Sequence, residues 1–359
     1  MNITDFTNKL DKYCTSLASK APGSPTQVLL VSDTNQIKYS YSNGSKNLPY
    51  HIASIGKIMT AVMIGMLSDK GELNVHAKVE DYLTEDIVKG LFVYKGIDYK
   101  GQVTIYHLLS HTSGVADYFE SKTNAGSSFV DQTLNNPDKL WSPQDLIDFT
   151  RNNQSANSAP GKFLYSDTGY VLLGMIIENI TNMAYSDALS KYMFSPLHMN
   201  DSYLLFGGAP INKKREIATI MFNKKEISKL NMLSCDWAGG GIVSTTDDLL
   251  IFQKAFWNGQ LVSNEFMGLM QNFQNKFRAG MYYGAGMMEL RLEGFFFLLR
   301  GLPRLFGHSG ILGTLLFYDK VNDLHIIINL GSNKRVVASF KAIIYIEQLI
   351  KRMKSAKNS

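Results

Sequence analysis

Residues 54–68 read Ser-Ile-Gly-Lys-Ile-Met-Thr-Ala-Val-Met-Ile-Gly-Met-Leu-Ser, with apolar side chains on every side of the helix this stretch predicts. Ile55, Ile58, Met59, Val62, Met63, Ile64, Met66 and Leu67 leave no polar face, and such a helix belongs in the middle of a protein. Gly71 ends it. The rest of the chain must therefore wrap around this segment. Two polar residues, Ser54 and Lys57, interrupt its first turn. Three apart, they share one helix face. A nucleophilic hydroxyl needs a neighbour that can hold or take its proton, and this spacing supplies one. An N-cap serine is the plainer alternative for Ser54. A solvated lysine fits poorly inside an apolar helix.

The chain of 359 residues can bury a large core, in one domain or two. Hydrophobic residues make up 45% and charged ones 19%, an ordinary globular balance. Much of the net charge of +5 lies in Lys351-Arg352-Met353-Lys354-Ser355-Ala356-Lys357. Cations at a helix end suit the macrodipole, so this reads as a solvated terminus and not a nucleic-acid arm. Cys14 and Cys235 are too few for a disulfide framework or zinc site, and a single disulfide stays open. Met1-Asn2-Ile3-Thr4-Asp5-Phe6 lacks the basic and apolar regions of a signal peptide. No segment reaches the roughly 20 apolar residues of a membrane span. The expectation is a cytoplasmic protein.

Apolar spacing predicts an amphipathic helix over 3–20, then strands over 26–32 and 36–41 joined by a turn at Asp33, Thr34 and Asn35. Helices are expected over 103–110, 142–152, 168–180 and 246–257, with Ser142 as cap and Pro143 at the first position of its helix. Strands return at 281–290, 314–318 and 324–329, and a long helix over about 335–353 closes the chain. Strands at both ends with helices between predict an α/β sheet domain from 1–79 and 246–359, interrupted by a mainly helical domain over 80–245. The functional site falls at their junction.

Five phrases in order carry a resemblance: Ser54-Ile55-Gly56-Lys57; His107-Leu108-Leu109-Ser110-His111-Thr112-Ser113-Gly114; the 160–174 segment around Tyr165-Ser166-Asp167; Ala238-Gly239-Gly240-Gly241; and Gly307-His308-Ser309-Gly310. Together they resemble the β-lactamase-related serine hydrolases, which include class C β-lactamases, DD-peptidases, D-aminopeptidases and esterases. The resemblance implies an antiparallel sheet flanked by helices, beside a helical domain, with the nucleophile between them. It also implies cofactor-free acyl transfer through a covalent acyl-enzyme.

By that resemblance Ser54 is the nucleophile, Lys57 its partner and Tyr165 the proton relay. A phenol serves as base only near positive charge, which Lys57 can provide. Asp167 departs from the asparagine of lactamases and peptidases. It offers acceptors only, so it should pair with Lys57 and disfavour acylamino substrates relative to esters. His308 stands where lactamases usually have lysine, and it is expected to donate to a substrate oxygen or to Tyr165. Ser309, Gly310 and Ile311 are expected on the substrate wall, with the Ile311 N–H in the oxyanion hole and Gly310 allowing close approach. The absence of G-x-S-x-G makes Ser309 a poor rival nucleophile. His107 and His111 read as structural, and the scattered His51, His76, His198 and His325 show no metal-ligand spacing.

The leading expectation is an esterase acting on a small ester or amide. D-amino-acid peptidase or amidase follows, then β-lactamase. A penicillin-binding-type sensor that is acylated without turnover is the competing class. No nucleic-acid partner is expected, and oligomeric state stays open. The 294–303 segment, Gly-Phe-Phe-Phe-Leu-Leu-Arg-Gly-Leu-Pro, reads either as a buried strand and turn or as an apolar loop. Such a loop would line an acyl pocket or touch a membrane surface.

Overall fold

The computed structural model describes residues 1–358, with side chains through Ser355. Both ends of the chain contribute to one eight-stranded antiparallel sheet. In spatial order its strands are Asn275–Arg278, Met281–Tyr283, Met288–Leu290, Leu305–Gly310, Thr314–Asp319, Leu324–Asn329, Gln27–Ser32 and Ile37–Ser42. The N-terminal strand closes against the last one, with Val28 opposite Ile328 and Leu30 opposite Ile326. Gln27–Ser32 is buried along its whole length, whereas Ile37–Ser42, with a neighbour on one side only, begins by alternating buried and exposed residues.

Side-chain alternation divides the core. Val28, Leu30, Phe317 and Ile326 face the helices Ile3–Ser19 and Val336–Asn358, meeting Phe6, Leu10, Ile343 and Leu349. Leu29, Val31, Leu316 and Ile327 face the other way and join the Gly56–Asp69 helix. That helix is buried over residues 56–65 and at Leu67, as its all-round apolar pattern requires. Ser142 accepts the Asp145 N–H and Pro143 occupies the first turn of Pro143–Asn153.

Two expectations change, and two open alternatives are decided. The 281–290 strand is two short strands, because Gly286, at φ +77°, helps reverse the chain between them. Residues 305–310, which showed no strand signal, form a sheet-interior strand, since both of its neighbours pair with it. Cys14 and Cys235 are free and buried in different core clusters, which closes the disulfide alternative. The 294–303 segment is no buried strand; it lies around two 3₁₀ turns, Leu292–Gly294 and Phe297–Leu299, with Phe296, Phe297 and Leu298 exposed. Of the basic run at the end, Lys351 and Arg352 are exposed as expected, while the side chains of Ala356 and Lys357 lie outside those described.

One buried acid has a measurable cost. Neither carboxyl oxygen of Glu347 meets a donor, and burial together with the Asp319 carboxylate holds it well above the ordinary range. The folded state therefore binds a proton that the unfolded chain releases above pH ~4.5, and stability falls as pH rises through the raised value. Glu347→Gln keeps the shape and cannot ionise. It should be roughly 1–3 kcal/mol more stable than wild type at pH 8, with little difference at pH 4.5, in urea unfolding at both pH values. An equal effect at both would remove ionisation as the cause.

Candidate active site

Ser54 sits in a 3₁₀ turn, Ala53–Ile55, that runs into the central helix. From Tyr50 to Gly65 it is the one residue not buried, so the helix meets the cleft through this side chain. The turn is held tightly. Ala53 lies at φ +50°, a left-handed conformation unusual outside glycine, and its N–H donates to His51 Nδ1 at 3.2 Å. Thr314 Oγ1 donates to the Ile52 carbonyl at 2.9 Å, tying the turn to the sheet. A Cβ on Gly310 would stand 2.2 Å from Thr314 Oγ1 and 2.8 Å from Ala53 Cβ. Packing of the strand against this turn therefore demands glycine at 310, independently of any substrate.

Lys57 is fully buried, one helical turn on. Its Nζ donates to Ser54 Oγ at 3.3 Å, to the Gly239 carbonyl at 2.7 Å and to the Asp167 carboxylate. Three donors meet three acceptors, which satisfies a buried ammonium. The Gly239 carbonyl was not foreseen, although the Ala238-Gly239-Gly240-Gly241 phrase was its signal. A Cβ on Gly239 would lie 3.0 Å from Asp167 Oδ1, and one on Gly240 would lie 2.8 Å from the Ala53 carbonyl carbon. Only glycine lets this turn approach the nucleophile and its lysine together.

Asp167 opens the Asp167–Thr181 helix, capped by Ser166, whose side chain accepts the Gly169 N–H. The Asp167 N–H donates to Asp117 Oδ1 at 3.0 Å, and Asp117 also accepts from the Phe119 and Glu120 N–H groups. Burial and the neighbouring Asp167 charge push Asp117 up to about 7. Sequence reasoning missed Asp117, which stands in no motif.

Tyr165 has Lys57 Nζ 5.1 Å from its ring centroid. The expected lowering of its pKa does not occur. Burial and the Asp167 carboxylate raise it well above the ordinary phenol value, while contact with the Ser54 hydroxyl pulls weakly the other way. The Lys57 charge is already compensated by Asp167. The phenol is held un-ionised.

His308 is also corrected. Ser309, Gly310 and Ile311 line the cleft, while His308 does not. His308 is fully buried, with Tyr283 Oη 3.0 Å from Nε2 and the Ser309 carbonyl 2.7 Å from Nδ1. Nδ1–H therefore donates to the carbonyl and Nε2 accepts the Tyr283 O–H. Burial and the nearby Lys57 charge lower His308 to about 3, so it is neutral at physiological pH. His111 turns out to lie behind Tyr165, with ring centroids 4.2 Å apart and Nδ1 accepting the Ser166 N–H at 3.1 Å. It supports the Tyr165-Ser166-Asp167 segment from below, whereas His107 caps a separate turn through Thr104.

Ser54, Tyr165, Asp167, Ser309, Gly310 and Ile311 border a cleft of about 390 Å³. One wall is apolar, from Phe277, Met281, Met288, Val336, Val337 and Phe340; the other carries Glu120, Asp167 and Asp236, with Arg278 the single cation. Burial and the Asp167 charge push Asp236 up to about 7, and His51 Nε2 lies 3.3 Å from its carboxylate.

A family model described as Beta-lactamase matches residues 16–348. Penicillin-binding protein 4* of Bacillus subtilis (strain 168) is 33% identical over 231 residues, covering 60% of this chain and 47% of that protein. The chain thus spans about half the length of that curated relative. Among solved structures, D-amino acid amidase from Ochrobactrum anthropi SV3 superposes with a TM-score of 0.78 at 21% identity, covering 98% of this chain and 99% of that one. EstCE1, a hydrolase with promiscuous acyltransferase activity, gives 0.74 at 16% identity, covering 96% and 99%. At these identities the likeness is one of fold.

Proposed function

This chain belongs to the beta-lactamase family, and from that premise we propose that it hydrolyses small esters or amides through an acyl-enzyme on Ser54. The observation that carries the reading is a half-buried hydroxyl at the cleft floor, 3.3 Å from a fully buried ammonium. Lys57, ion-paired with Asp167, stabilises the Ser54 alkoxide as it forms. Tyr165 works as an un-ionised relay: it takes the Ser54 proton while giving its own to the leaving group. The Ser54 oxygen bonds the acyl carbon and the carbon–leaving-group bond breaks. Water then reverses the sequence through the same phenol and frees the acid. The N–H groups of Ser54 and Ile311 receive the oxyanion, and Ser309 and Gly310 form the substrate wall. His308 acts as a positioning residue, fixing Tyr283 behind Tyr165.

An ester is the favoured substrate, because Asp167 brings no N–H donor for an amide carbonyl. The test is labelling by a fluorophosphonate, mapped to Ser54, combined with turnover of p-nitrophenyl esters. Labelling without steady turnover would select an acylated sensor instead.

A second reading, an amidase for substrates bearing a free ammonium group, is favoured by Glu120 and Asp236, which line the cleft beside an Asp167 already paired with Lys57, with Arg278 the one cation among the lining residues. Glu120 is raised chiefly by burial and by Asp167, and drawn back by Arg278. An incoming ammonium would relieve that repulsion. Glu120→Gln should raise KM for a D-amino-acid anilide about tenfold and leave KM for p-nitrophenyl acetate unchanged. Equal changes for both would argue for a purely structural Glu120.

A further inference from the structure

Away from the cleft, the 292–304 loop and the last turns of the Val336–Asn358 helix form a second surface. Phe296, Phe297 and Leu298 are 51%, 72% and 66% exposed, three large apolar side chains in a row. Single exposed apolar residues are common on protein surfaces, but a contiguous run marks an interaction site. Leu298 continues into a groove of about 530 Å³, lined also by Leu302 and Gln348 and by Arg300, Lys351 and Arg352. These three cations are exposed and enter no ion pair among the described residues. Arg304, by contrast, is tied to Glu289. Glu293 is the one exposed carboxylate on the loop, and Glu347, the acid of this part of the helix, is buried.

We propose that this surface docks the protein on an anionic phospholipid bilayer. Phe297 and Leu298 enter the boundary between headgroups and acyl chains, and Arg300, Lys351 and Arg352 meet the lipid phosphates. The charge selects the occupant. An apolar tip ringed by unpaired cations matches a membrane face, which offers hydrocarbon below a layer of negative charge. Lysine and arginine stems can lie along the apolar groove while their heads reach the phosphates. The contact is peripheral, since no described helix is long and apolar enough to cross a membrane. Phe295 links this surface to the cleft: its ring lies 5.8 Å from that of Phe340, on the cleft's apolar wall. From Phe340 to Lys351 the helix advances roughly 16 Å. Docking would therefore hold the cleft beside the lipid surface.

Flotation of the full chain with vesicles tests this. Wild type should float with phosphatidylcholine vesicles containing about one third phosphatidylglycerol, and far less with pure phosphatidylcholine. Lys351→Glu/Arg352→Glu should weaken anionic binding by roughly 30-fold or more, and high salt should do the same. Phe297→Ser/Leu298→Ser should lose binding in low salt as well. All four positions are exposed, so near-ultraviolet circular dichroism should be unchanged. No flotation with anionic vesicles would overturn the proposal, as would binding indifferent to both double variants. Wild type running as a dimer that Phe297→Ser/Leu298→Ser makes monomeric, with no vesicle binding, would assign the patch to a second copy of this chain.

Discussion

Ser54→Ala lowers kcat for a p-nitrophenyl ester by a factor on the order of 10⁴ or more and abolishes fluorophosphonate labelling, while the fold persists. The rate loss follows from chemistry. Lys57 and Tyr165 can position and move a proton, but neither replaces the oxygen that carries the acyl group. The fold persists because Lys57 keeps two of its three acceptors, the Asp167 carboxylate and the Gly239 carbonyl. Loss of one half-buried hydroxyl costs about 1 kcal/mol or less. Residual labelling in Ser54→Ala would move the nucleophile elsewhere, and Ser309, which also lines the cleft, would be the next position to map.

Asp167→Asn produces the largest change in stability. Breaking a buried ion pair from one side costs about 3–5 kcal/mol when the remaining charge has no escape. Lys57 is fully buried, and the amide oxygen of asparagine carries no compensating charge. In urea unfolding at pH 7 the variant should therefore lose about 3–5 kcal/mol against wild type. A deficit below about 1 kcal/mol would mean that the pair behaves like an exposed one and contributes little. The same variant tests substrate preference. An asparagine amide can donate to a substrate carbonyl, so turnover of a chromogenic cephalosporin relative to a p-nitrophenyl ester should rise. An unchanged ratio would separate Asp167 from the choice of substrate.

Glu120→Gln and Ser54→Ala probe different properties of the cleft. The first asks what the carboxylate wall recognises, the second where the bond is made. Loss of selectivity in Glu120→Gln with Ser54 labelling intact would identify the acidic wall as the specificity element.

The sequence alone carried the burial of the central helix, because an all-round apolar surface admits one environment. It carried the helix cap at Ser142 for a similarly local reason: a short polar side chain satisfies an N–H group only a few residues away. It also carried the pairing of Asp167 with Lys57, through the chemistry of an acceptor-only side chain. Direction and depth were decided by the tertiary structure. Whether His308 or Ser309 faces the cleft depends on a strand whose pairing lies in distant segments, and one step along a strand reverses the face. Asp117 and the Gly239 carbonyl reach the site only because loops far apart in sequence converge on one ammonium. The ionisation of Tyr165 followed neither its motif nor the nearby lysine alone. It is set by burial and by the sum of the surrounding charges, and that sum exists only once the chain has folded.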